Sequence, residues 1–245
     1  GKNLLVTVIG VTDHNVHFYM SQNKDKVVEY YDHLAKDYDR DRFGNSYGRF
    51  IDAEERAVLS RWKVKDSGRV LEVACGTGRL LDFAAAGCDA SSEMLAVARE
   101  KHPGKELICR RAEAMPLPDG SLDTIYSFHL MMHLEPQVIK SILREASRLL
   151  RPGGRLIFDI PSAPRRRLLH KERSDWHGST SLSRRDVEEM SRGLFTLRRS
   201  AGIMMLPVHK LPARLRPMML GVDKALCASP LKAYSSYLIY ELIKD

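Results

Sequence analysis

The chain has 245 residues, 44% of them hydrophobic and 29% charged, and this length suits one main α/β domain with decorations. It contains no run of eighteen or more apolar residues, so no transmembrane helix is predicted. Its four cysteines form no C-x-x-C pair and have no short-spaced histidine partner, which argues against a zinc site and a disulfide scaffold. We therefore expect no metal, and we expect reduced thiols in a cytoplasmic protein.

The formal net charge is +8, and all of the basic excess lies in the C-terminal part. Residues 151–245 hold eighteen Lys or Arg against nine Asp or Glu, whereas residues 1–150 hold twenty-one against twenty-two. Such asymmetry is typical of a surface for nucleic acid, anionic lipid or an acidic substrate. A solvated basic face without a partner is the alternative.

The N-terminal part divides into two segments. Residues 1–19 are predicted to be an extension, in part a cloning remnant, because Met20 is a plausible native start. From Asp25 onward, apolar residues recur at three- and four-residue spacing, which predicts a helix. A second helix is predicted over Ile51–Trp62, with its apolar side chains on one face.

The stretch RVLEVACGTG at residues 69–78 is the strongest indication of a ligand-binding site in the sequence. Its apolar run predicts a strand, its two glycines predict a tight turn that a ligand can approach closely, and residues 79–86 are predicted to begin a helix. A dinucleotide site needs a third glycine where this sequence has Leu81, so a NAD-dependent dehydrogenase is poorly supported. Glu72 would repel a phosphate but suits a cofactor with a cationic sulfonium and an amino group.

The pattern E-x-x-C-G-T-G after a strand resembles motif I of the class I S-adenosylmethionine (SAM) dependent methyltransferases. Together with LLRPGGRLIF, which is similar to the ubiquinone/menaquinone-biosynthesis type (methyltransferase type 11), the resemblance covers residues 25–161. It implies SAM as cofactor, S-adenosylhomocysteine as product, and a single methyltransferase domain over residues 20–245. That domain comprises a helical lid (20–62), a SAM-binding core (67–161) and an acceptor-side region (162–245) that contains an insertion (207–232).

The implied fold is a Rossmann-like seven-stranded, mostly parallel sheet with helices on both faces, an antiparallel last strand, an N-terminal helical lid and an insertion between the last two strands. The elements predicted after residue 89 are helices over Ser92–Lys101, Gln137–Leu150 and Ser183–Ser191, a helical stretch through 215–226, and strands over Leu107–Arg110, Leu122–Phe128, 155–161, Phe195–Leu206 and Tyr237–Ile243.

The resemblance also assigns the cofactor residues. Asp89 matches the acid that binds the ribose hydroxyls, and Met94 matches the residue that packs on adenine. Arg111 stands where the family has an acid that contacts the adenine amino group, so adenine recognition is expected from the backbone near Ala112 and from Glu113. The predicted cofactor-binding residues are Glu72, Ala74, Cys75, Gly76, Thr77, Gly78, Asp89, Ala90, Met94, Ala112, Glu113, Phe128 and Tyr38.

The segment between motif I and Asp89 is short. Only thirteen positions separate Gly76 from Asp89, whereas a full helix and a strand would place the acid roughly twenty residues on. Either the helix and the strand are truncated, or a segment is missing from this sequence. We favour a missing segment, because a parallel sheet without the strand beside its cofactor would lose its switch point.

Candidate acceptor-side residues come from three places. SFHLMMHLEP, after the fourth strand, resembles the family's "H-H-L" motif and places His129 and His133 where methyl transfer would occur, so each is a candidate general base. The histidines could equally shape the loop. The predicted substrate-binding residues are Tyr31, Arg42, Arg49 and His177, and the run of three arginines at 165–167 suits phosphate or carboxylate.

The sequence therefore predicts a SAM-dependent methyltransferase that acts on an O, N or C atom of a small-molecule or lipid-like acceptor. The alternatives are an RNA methyltransferase that uses the basic C-terminal surface, or a non-catalytic SAM-binding module. Nucleic acid is the less favoured partner, because few aromatic residues accompany the arginine clusters. The basic, apolar insertion suggests peripheral contact with an anionic membrane, although a buried cap over the acceptor pocket is the simpler interpretation.

Overall fold

The computed structural model describes residues 27–170 and 178–245, and these form one seven-stranded mixed sheet in the order β3-β2-β1-β4-β5-β7-β6. The first five strands pair in parallel, and β7 is antiparallel to both β5 and β6. The strands are β1 (Val70–Val73), β2 (Ala86–Asp89), β3 (Glu106–Cys109), β4 (Leu122–Ser127), β5 (Leu150–Pro161), β6 (Phe195–Ile203) and β7 (Tyr237–Lys244). The predicted fold class is confirmed.

The central strands β1 and β4 are buried on both faces, as is usual for the inner strands of a parallel sheet. Side chains alternate between two cores: Val70 and Tyr126 belong to one core, whereas Leu71 and Ile125 belong to the other. This alternation fixes the register of β1 against β4, in which Leu71 pairs with Ile125. The C-terminal ends of these strands therefore meet at one rigid edge of the sheet.

Helices cover both faces of the sheet. The apolar stripe of α3 packs into the core that contains Val70, and the stripe of α5 packs into the core that contains Leu71. The helices are α1 (27–34, its start not described), α2 (Tyr38–Phe43), α3 (Ser46–Arg61), α4 (Ser92–Lys101), α5 (Pro136–Leu149), α6 (Ala163–Leu168), α7 (Arg184–Ser191) and α8 (Arg216–Ala228). None of the helices in the described ranges is long and apolar enough to cross a bilayer.

The connection from β1 to β2 differs from the prediction. The helix expected over residues 79–86 is absent, and a single 3-10 turn at Leu81–Phe83 takes its place. The twelve residues 74–85 still return the chain to a strand that pairs in parallel with β1, close to the minimum length for such a crossover. The missing segment is favoured by the expectation that the sheet would otherwise lose its second strand. That expectation is wrong, because β2 forms and only the helix is reduced.

The short connection depends on Gly87 in β2. A Cβ atom at this position would lie 2.8 Å from the Cys75 Sγ atom and 2.9 Å from a methyl carbon of Leu81. The turn after β1 therefore packs directly on the β2 backbone, in the space that a side chain would fill.

Most other boundaries agree with the sequence within a few residues. The main shifts are that α3 begins five residues before the predicted start and that β5 begins at Leu150, so the R-P-G-G run lies within the strand. The predicted extension at residues 1–19 and the candidate His177 lie outside the described residues.

Candidate active site

The turn after β1 forms an open cradle at the edge of the sheet. Ala74, Gly76 and Gly78 have positive φ angles of 57°, 53° and 79°. A Cβ atom at Gly78 would lie 2.9 Å from His102, whereas a Cβ atom at Gly76 would meet no atom within 4 Å. The backbone at Gly76 therefore faces open space that a ligand can enter closely.

Asp89, at the end of β2, lies directly beside this cradle. One of its carboxylate oxygens accepts a hydrogen bond from the Gly76 N–H (2.8 Å), and the other accepts one from the Ser91 N–H (2.9 Å). Burial raises the pKa of Asp89 although both hydrogen bonds favour the charged form. Each oxygen has a second lone pair, so the carboxylate can also accept hydrogen bonds from two neighbouring hydroxyls of a ligand.

Glu72 lies beneath the cradle and has only 4% of its surface exposed. The Tyr126 hydroxyl donates to the Leu80 carbonyl (2.8 Å), and its oxygen lies 3.3 Å from Glu72 Oε2. Burial raises the pKa of Glu72 to about 8, which outweighs the opposing effect of Arg79. The carboxyl is mostly protonated at neutral pH, so the negative charge that the sequence argument attributed to it is largely absent.

Two aspartates attach the N-terminal helices to the edge of the sheet that carries the cradle. Asp32 Oδ1 in α1 accepts a hydrogen bond from the Ser91 hydroxyl (2.5 Å). Asp39 Oδ1 in α2 accepts one from the Thr77 hydroxyl (2.5 Å), and its second oxygen pairs with Lys101. Tyr31 and Tyr38 are the residues predicted to contact ligands here, but the aspartates that follow them in sequence make these contacts with the sheet edge.

A cleft of about 500 Å³ opens between α1 and the ends of β2 and β3. Two residues that line this cleft were selected from the sequence. Ala90 is a predicted cofactor-binding residue, and Arg111 stands at the position where the family has an acid that contacts adenine. Met94 does not line the cleft: it is 2% exposed, and its N–H donates to the Ser91 Oγ that caps α4. The predicted packing of Met94 on adenine is therefore not supported.

The remaining predicted cofactor residues surround this edge without facing the cleft. Cys75, Thr77 and Phe128 are buried, whereas Ala112, Glu113 and Tyr38 are half-buried. Burial also raises the pKa of the Cys75 thiol, which disfavours the nucleophilic thiolate form.

A buried cluster of ionisable side chains joins α3 to the ends of β4 and β5. Glu55 Oε1 lies 2.7 Å from His129 Nε2, and Asp159 Oδ2 lies 3.5 Å from His129 Nδ1. The His129 backbone has a positive φ of 59°, and its N–H donates to Asp159 Oδ1 (2.6 Å). Arg79 completes the cluster with ion pairs of 2.6 Å to Glu55 and to Asp52.

The charges in this cluster stabilise one another. Burial lowers the pKa of His129, but Glu55 and Asp159 outweigh it and raise that pKa above its usual value. Burial raises the pKa of Glu55, but His129 and Arg79 outweigh it and lower that pKa. Burial raises the pKa of Asp159 to about 6. An imidazolium held between two carboxylates has no vacant nitrogen for a substrate proton, so a general-base role for His129 is not supported.

The same three side chains have the spacing of metal ligands, since one ligand atom from each lies within 4.8 Å of the others. His129 Nε2 and Asp159 Oδ2 are also buried without a well-aligned hydrogen bond. Arg79 argues against a cation here, because its guanidinium lies 2.6 Å from Glu55 Oε2 and already supplies positive charge. We interpret the cluster as an ion-pair network that holds α3 on the sheet.

His133 lies in a 3-10 turn after β4 and contacts the lid. Its Nδ1 accepts a hydrogen bond from the Gly178 N–H (2.9 Å), and its Nε2 lies 3.2 Å from the Tyr31 hydroxyl. A neutral imidazole whose Nδ1 accepts a hydrogen bond carries its proton on Nε2, so His133 donates to the Tyr31 oxygen. Burial also raises the pKa of Tyr31, which keeps its hydroxyl protonated and able to donate.

Aromatic rings from the lid and the sheet edge form a continuous wall at this end of the molecule. Neighbouring ring centroids are 5.9 to 6.1 Å apart along the series Tyr31, Tyr38, Phe43, His129 and Tyr237. Residues outside that series extend the wall: the Tyr47 hydroxyl lies 3.3 Å from that of Tyr237, and the Tyr47 ring lies 5.0 Å from His209. The wall suits a flat or apolar ligand.

The predicted arginine ligands are mostly engaged elsewhere. Arg42 and Arg49 are exposed on the lid, where Arg42 donates to the Tyr30 hydroxyl (3.4 Å) and Arg49 to the Gly44 carbonyl. Arg165 donates to the carbonyls of Met205 (2.9 Å) and Tyr234 (2.7 Å), and so holds α6 against the last turn before β7. These contacts are structural.

Comparison with known proteins identifies related sequences. Residues 71–158 match a family model described as "Methyltransferase domain". An uncharacterized protein of Methanocaldococcus jannaschii is 35% identical over 147 residues, which are 59% of this chain and 55% of that protein. A ubiquinone/menaquinone biosynthesis C-methyltransferase of Campylobacter jejuni is 31% identical over 153 residues, which are 56% of this chain and 63% of that protein. A demethylmenaquinone methyltransferase of Paenarthrobacter aurescens is 32% identical over 163 residues, which are 62% of this chain and 63% of that protein. The chain thus spans between 55% and 63% of the length of these relatives.

Solved structures share the fold at lower identity. A magnesium protoporphyrin IX methyltransferase of Synechocystis, crystallised with bound S-adenosylhomocysteine, superimposes with a TM-score of 0.64 at 15% identity, covering 91% of this chain and 100% of that one. A SAM-dependent methyltransferase of Archaeoglobus fulgidus gives a TM-score of 0.58 at 16% identity, covering 85% and 98%. At this identity the likeness establishes the fold alone.

Proposed function

We propose that the protein transfers a methyl group from SAM to an O, N or C atom of a small-molecule or lipid-like acceptor. The match of residues 71–158 to a family model described as "Methyltransferase domain" supports this proposal. The observation that carries the proposal is the open backbone at Gly76 beside the Asp89 carboxylate. A nucleoside needs a close backbone approach and an acceptor for its two ribose hydroxyls, and these two residues supply both features.

In this proposal the cofactor lies across the ends of β1 and β2. Asp89 accepts hydrogen bonds from the ribose hydroxyls of SAM, and the backbone of the 74–78 turn contacts the methionine portion of SAM. The adenine lies in the cleft beside Ala90 and Arg111. Asp32 and Asp39 keep the lid against this edge. SAM supplies an activated methyl group whose leaving group is a neutral thioether.

The chain contributes mainly by positioning the acceptor and excluding water. The lid rings of Tyr31, Tyr38 and Phe43 face the sheet edge at which β4 ends, so an acceptor between them is held near the cofactor. His133 orients the Tyr31 hydroxyl, which can donate a hydrogen bond to the acceptor. The ion pairs of His129 with Glu55 and Asp159 fix the position of its ring in the wall, and His129 transfers no proton.

The acceptor class is inferred from the wall and from the relatives. The wall is aromatic, and the arginines selected from the sequence are largely engaged with main-chain carbonyls, which favours an apolar acceptor over a highly anionic one. Two of the relatives are named as methyltransferases of quinone biosynthesis. An RNA acceptor is not favoured, because few aromatic residues accompany the arginine clusters of the C-terminal part in the sequence.

Calorimetric titration with SAM and with S-adenosylhomocysteine tests the proposal. We expect saturable micromolar binding of both, and a loss of at least about a hundredfold in affinity in Asp89→Ala, because two charge-assisted hydrogen bonds to the ribose are removed. The exposed Asp66→Ala variant is the matched control and should bind as the wild type does. Absence of binding by the folded wild-type chain would contradict the proposal.

Replacement of Tyr31 by Phe tests the acceptor side. We expect turnover, measured with the acceptor found by screening with labelled SAM, to fall by about one order of magnitude while SAM affinity stays unchanged. The neighbouring Tyr30→Phe variant is the control, because it makes the same substitution at a hydroxyl that accepts a hydrogen bond from the exposed Arg42 (3.4 Å). Nitrogen NMR of His133 should show the Nε2–H tautomer, and equal turnover in both variants would remove Tyr31 from the mechanism.

A further inference from the structure

The C-terminal part exposes an unusual amount of apolar surface. Eight large hydrophobic side chains are exposed among the described residues, and seven of them lie between Leu168 and Tyr234. The seven are Leu168, Leu169, Leu215, Met218, Val222, Leu231 and Tyr234. Together with the exposed basic residues on the same segments, they form what we call the apolar–basic surface. Met218 is 66% exposed and Leu168 is 64% exposed, so their side chains extend into solvent.

These residues belong to three segments that pack together. Leu215, Met218 and Val222 follow one another at spacings of three and four, so they form a stripe along one side of α8. The 3-10 turn Pro230–Tyr234 packs against both α8 and α6. Because Arg165 donates to the Tyr234 carbonyl, α6 is held next to this turn.

The charge of the same segments has one sign. Arg167, Lys210 and Arg214 are exposed, and residues 161–170 contain no acidic residue. Between residues 207 and 234 the single acid is Asp223, which is 2% exposed and accepts a hydrogen bond from the Leu206 N–H (2.6 Å). The apolar side chains therefore stand among cations without an exposed carboxylate on these segments.

This surface adjoins the aromatic wall of the candidate active site. His209 lies in a 3-10 turn that packs against α8, and its ring lies 5.0 Å from that of Tyr47. The Tyr47 hydroxyl in turn contacts that of Tyr237 (3.3 Å), beside His129. A partner that binds the surface is thereby brought to the acceptor side of the protein.

We propose that the apolar–basic surface docks on an anionic phospholipid bilayer, with the α8 stripe at the level of the headgroups and the cations on the lipid phosphates. Aliphatic side chains flanked by Lys and Arg are the pattern that such surfaces bind. RNA fits less well, because Tyr234 is the one aromatic ring among the seven side chains of this surface and base stacking needs such rings. A second copy also fits less well, since a self-complementary interface would bring like charges together. The docking itself does not require methyl transfer, and only its role in delivering a lipid-like acceptor rests on the proposed function.

Vesicle co-sedimentation of the full chain tests this proposal without cofactor or acceptor. We expect binding to phosphatidylcholine vesicles that contain 30% phosphatidylglycerol and at least tenfold weaker binding to pure phosphatidylcholine. Met218→Ser combined with Val222→Ser should weaken the binding about tenfold by removing inserted apolar surface. Lys210→Gln combined with Arg214→Gln should weaken it about twenty-five-fold, since each basic residue near an anionic surface strengthens binding about fivefold.

The charge-matched control is Arg185→Gln combined with Arg192→Gln, which removes two exposed arginines of the same C-terminal half from outside the surface. It should retain wild-type binding, and thermal unfolding should show that all variants are folded. Absence of binding to the anionic vesicles, or equal losses in the control and the surface variants, overturns the proposal. So does light scattering that shows a wild-type dimer dissociated by Met218→Ser with Val222→Ser while vesicle binding is unaffected. Because SAM takes no part, failure here leaves the calorimetric test of the methyltransferase proposal untouched.

Discussion

Glu55→Gln should lower the free energy of unfolding by about 3 to 5 kcal/mol, a large part of the stability of a typical domain. Glu55 is 1% exposed and forms ion pairs of 2.7 Å with His129 and 2.6 Å with Arg79. Its neutral replacement leaves two buried cations with less negative charge between them. Urea unfolding followed by circular dichroism measures the change.

The neighbouring Glu54→Gln is the matched control, because it makes the same substitution one residue earlier in α3. Glu54 pairs with the half-exposed Lys224 at 3.4 Å, and such a pair contributes at most about 1 kcal/mol. Similar losses of unfolding free energy in the two variants would show that the buried cluster stabilises the fold no more than the exposed pair does. Such a result would contradict our interpretation of the cluster.

The cluster also predicts a pH dependence. The pKa of His129 is raised in the folded state, so its contribution to stability is complete below the usual value of 6.5 and is lost as the pH rises through the raised pKa. The difference between wild type and Glu55→Gln should therefore be largest near pH 6 and should shrink as the pH rises through the raised pKa of His129, until only the pair with Arg79 remains. A difference that grows with pH would show that His129 is neutral in the folded protein.

The sheet could be predicted from sequence because its signals are local. Apolar runs of four to eight residues, a glycine turn after β1 and an amphipathic helix before β5 each fix one element, and the parallel topology follows from their alternation. The helix after β1 could not be predicted correctly. Whether residues 79–86 form a full helix depends on the distance that the chain must span to β2, and this constraint is tertiary.

The ion-pair cluster was missed although its members leave a trace in the sequence. Glu55 interrupts the apolar face of α3, and Asp159 interrupts the apolar run of β5. A lone acid in a buried stripe is a signal for a buried partner, but the partner is unknown until the elements are packed. His129 was selected for its place after β4, and only the geometry shows that both of its nitrogens face carboxylates.

Glu72→Gln should stabilise the protein while weakening cofactor binding. Folding raises the pKa of Glu72 from 4.5 to about 8, so the folded chain takes up a proton and the stability of the wild type falls as the pH rises between these values. At 1.36 kcal/mol per unit, the neutral amide should be more stable by about 2 to 3 kcal/mol at pH 7 and by less than about 1 kcal/mol at pH 5. Thermal unfolding at the two pH values measures this gain, and an equal or lower stability at pH 7 would show that the folded carboxyl is ionised.

The same substitution distinguishes the two cofactor forms. Only SAM carries a sulfonium charge, and a cation near Glu72 favours loss of its proton, so the ionised carboxylate should strengthen SAM binding relative to that of S-adenosylhomocysteine. We expect Glu72→Gln to lower the affinity for SAM by about tenfold and to leave that for S-adenosylhomocysteine nearly unchanged. Titration of the wild type at pH 7 in buffers of different ionisation enthalpy should show proton release with SAM alone. Equal losses for both forms would mean that Glu72 shapes the turn without sensing the cofactor's charge, whereas selective loss would identify a strained acid that is kept for cofactor binding at a cost in stability.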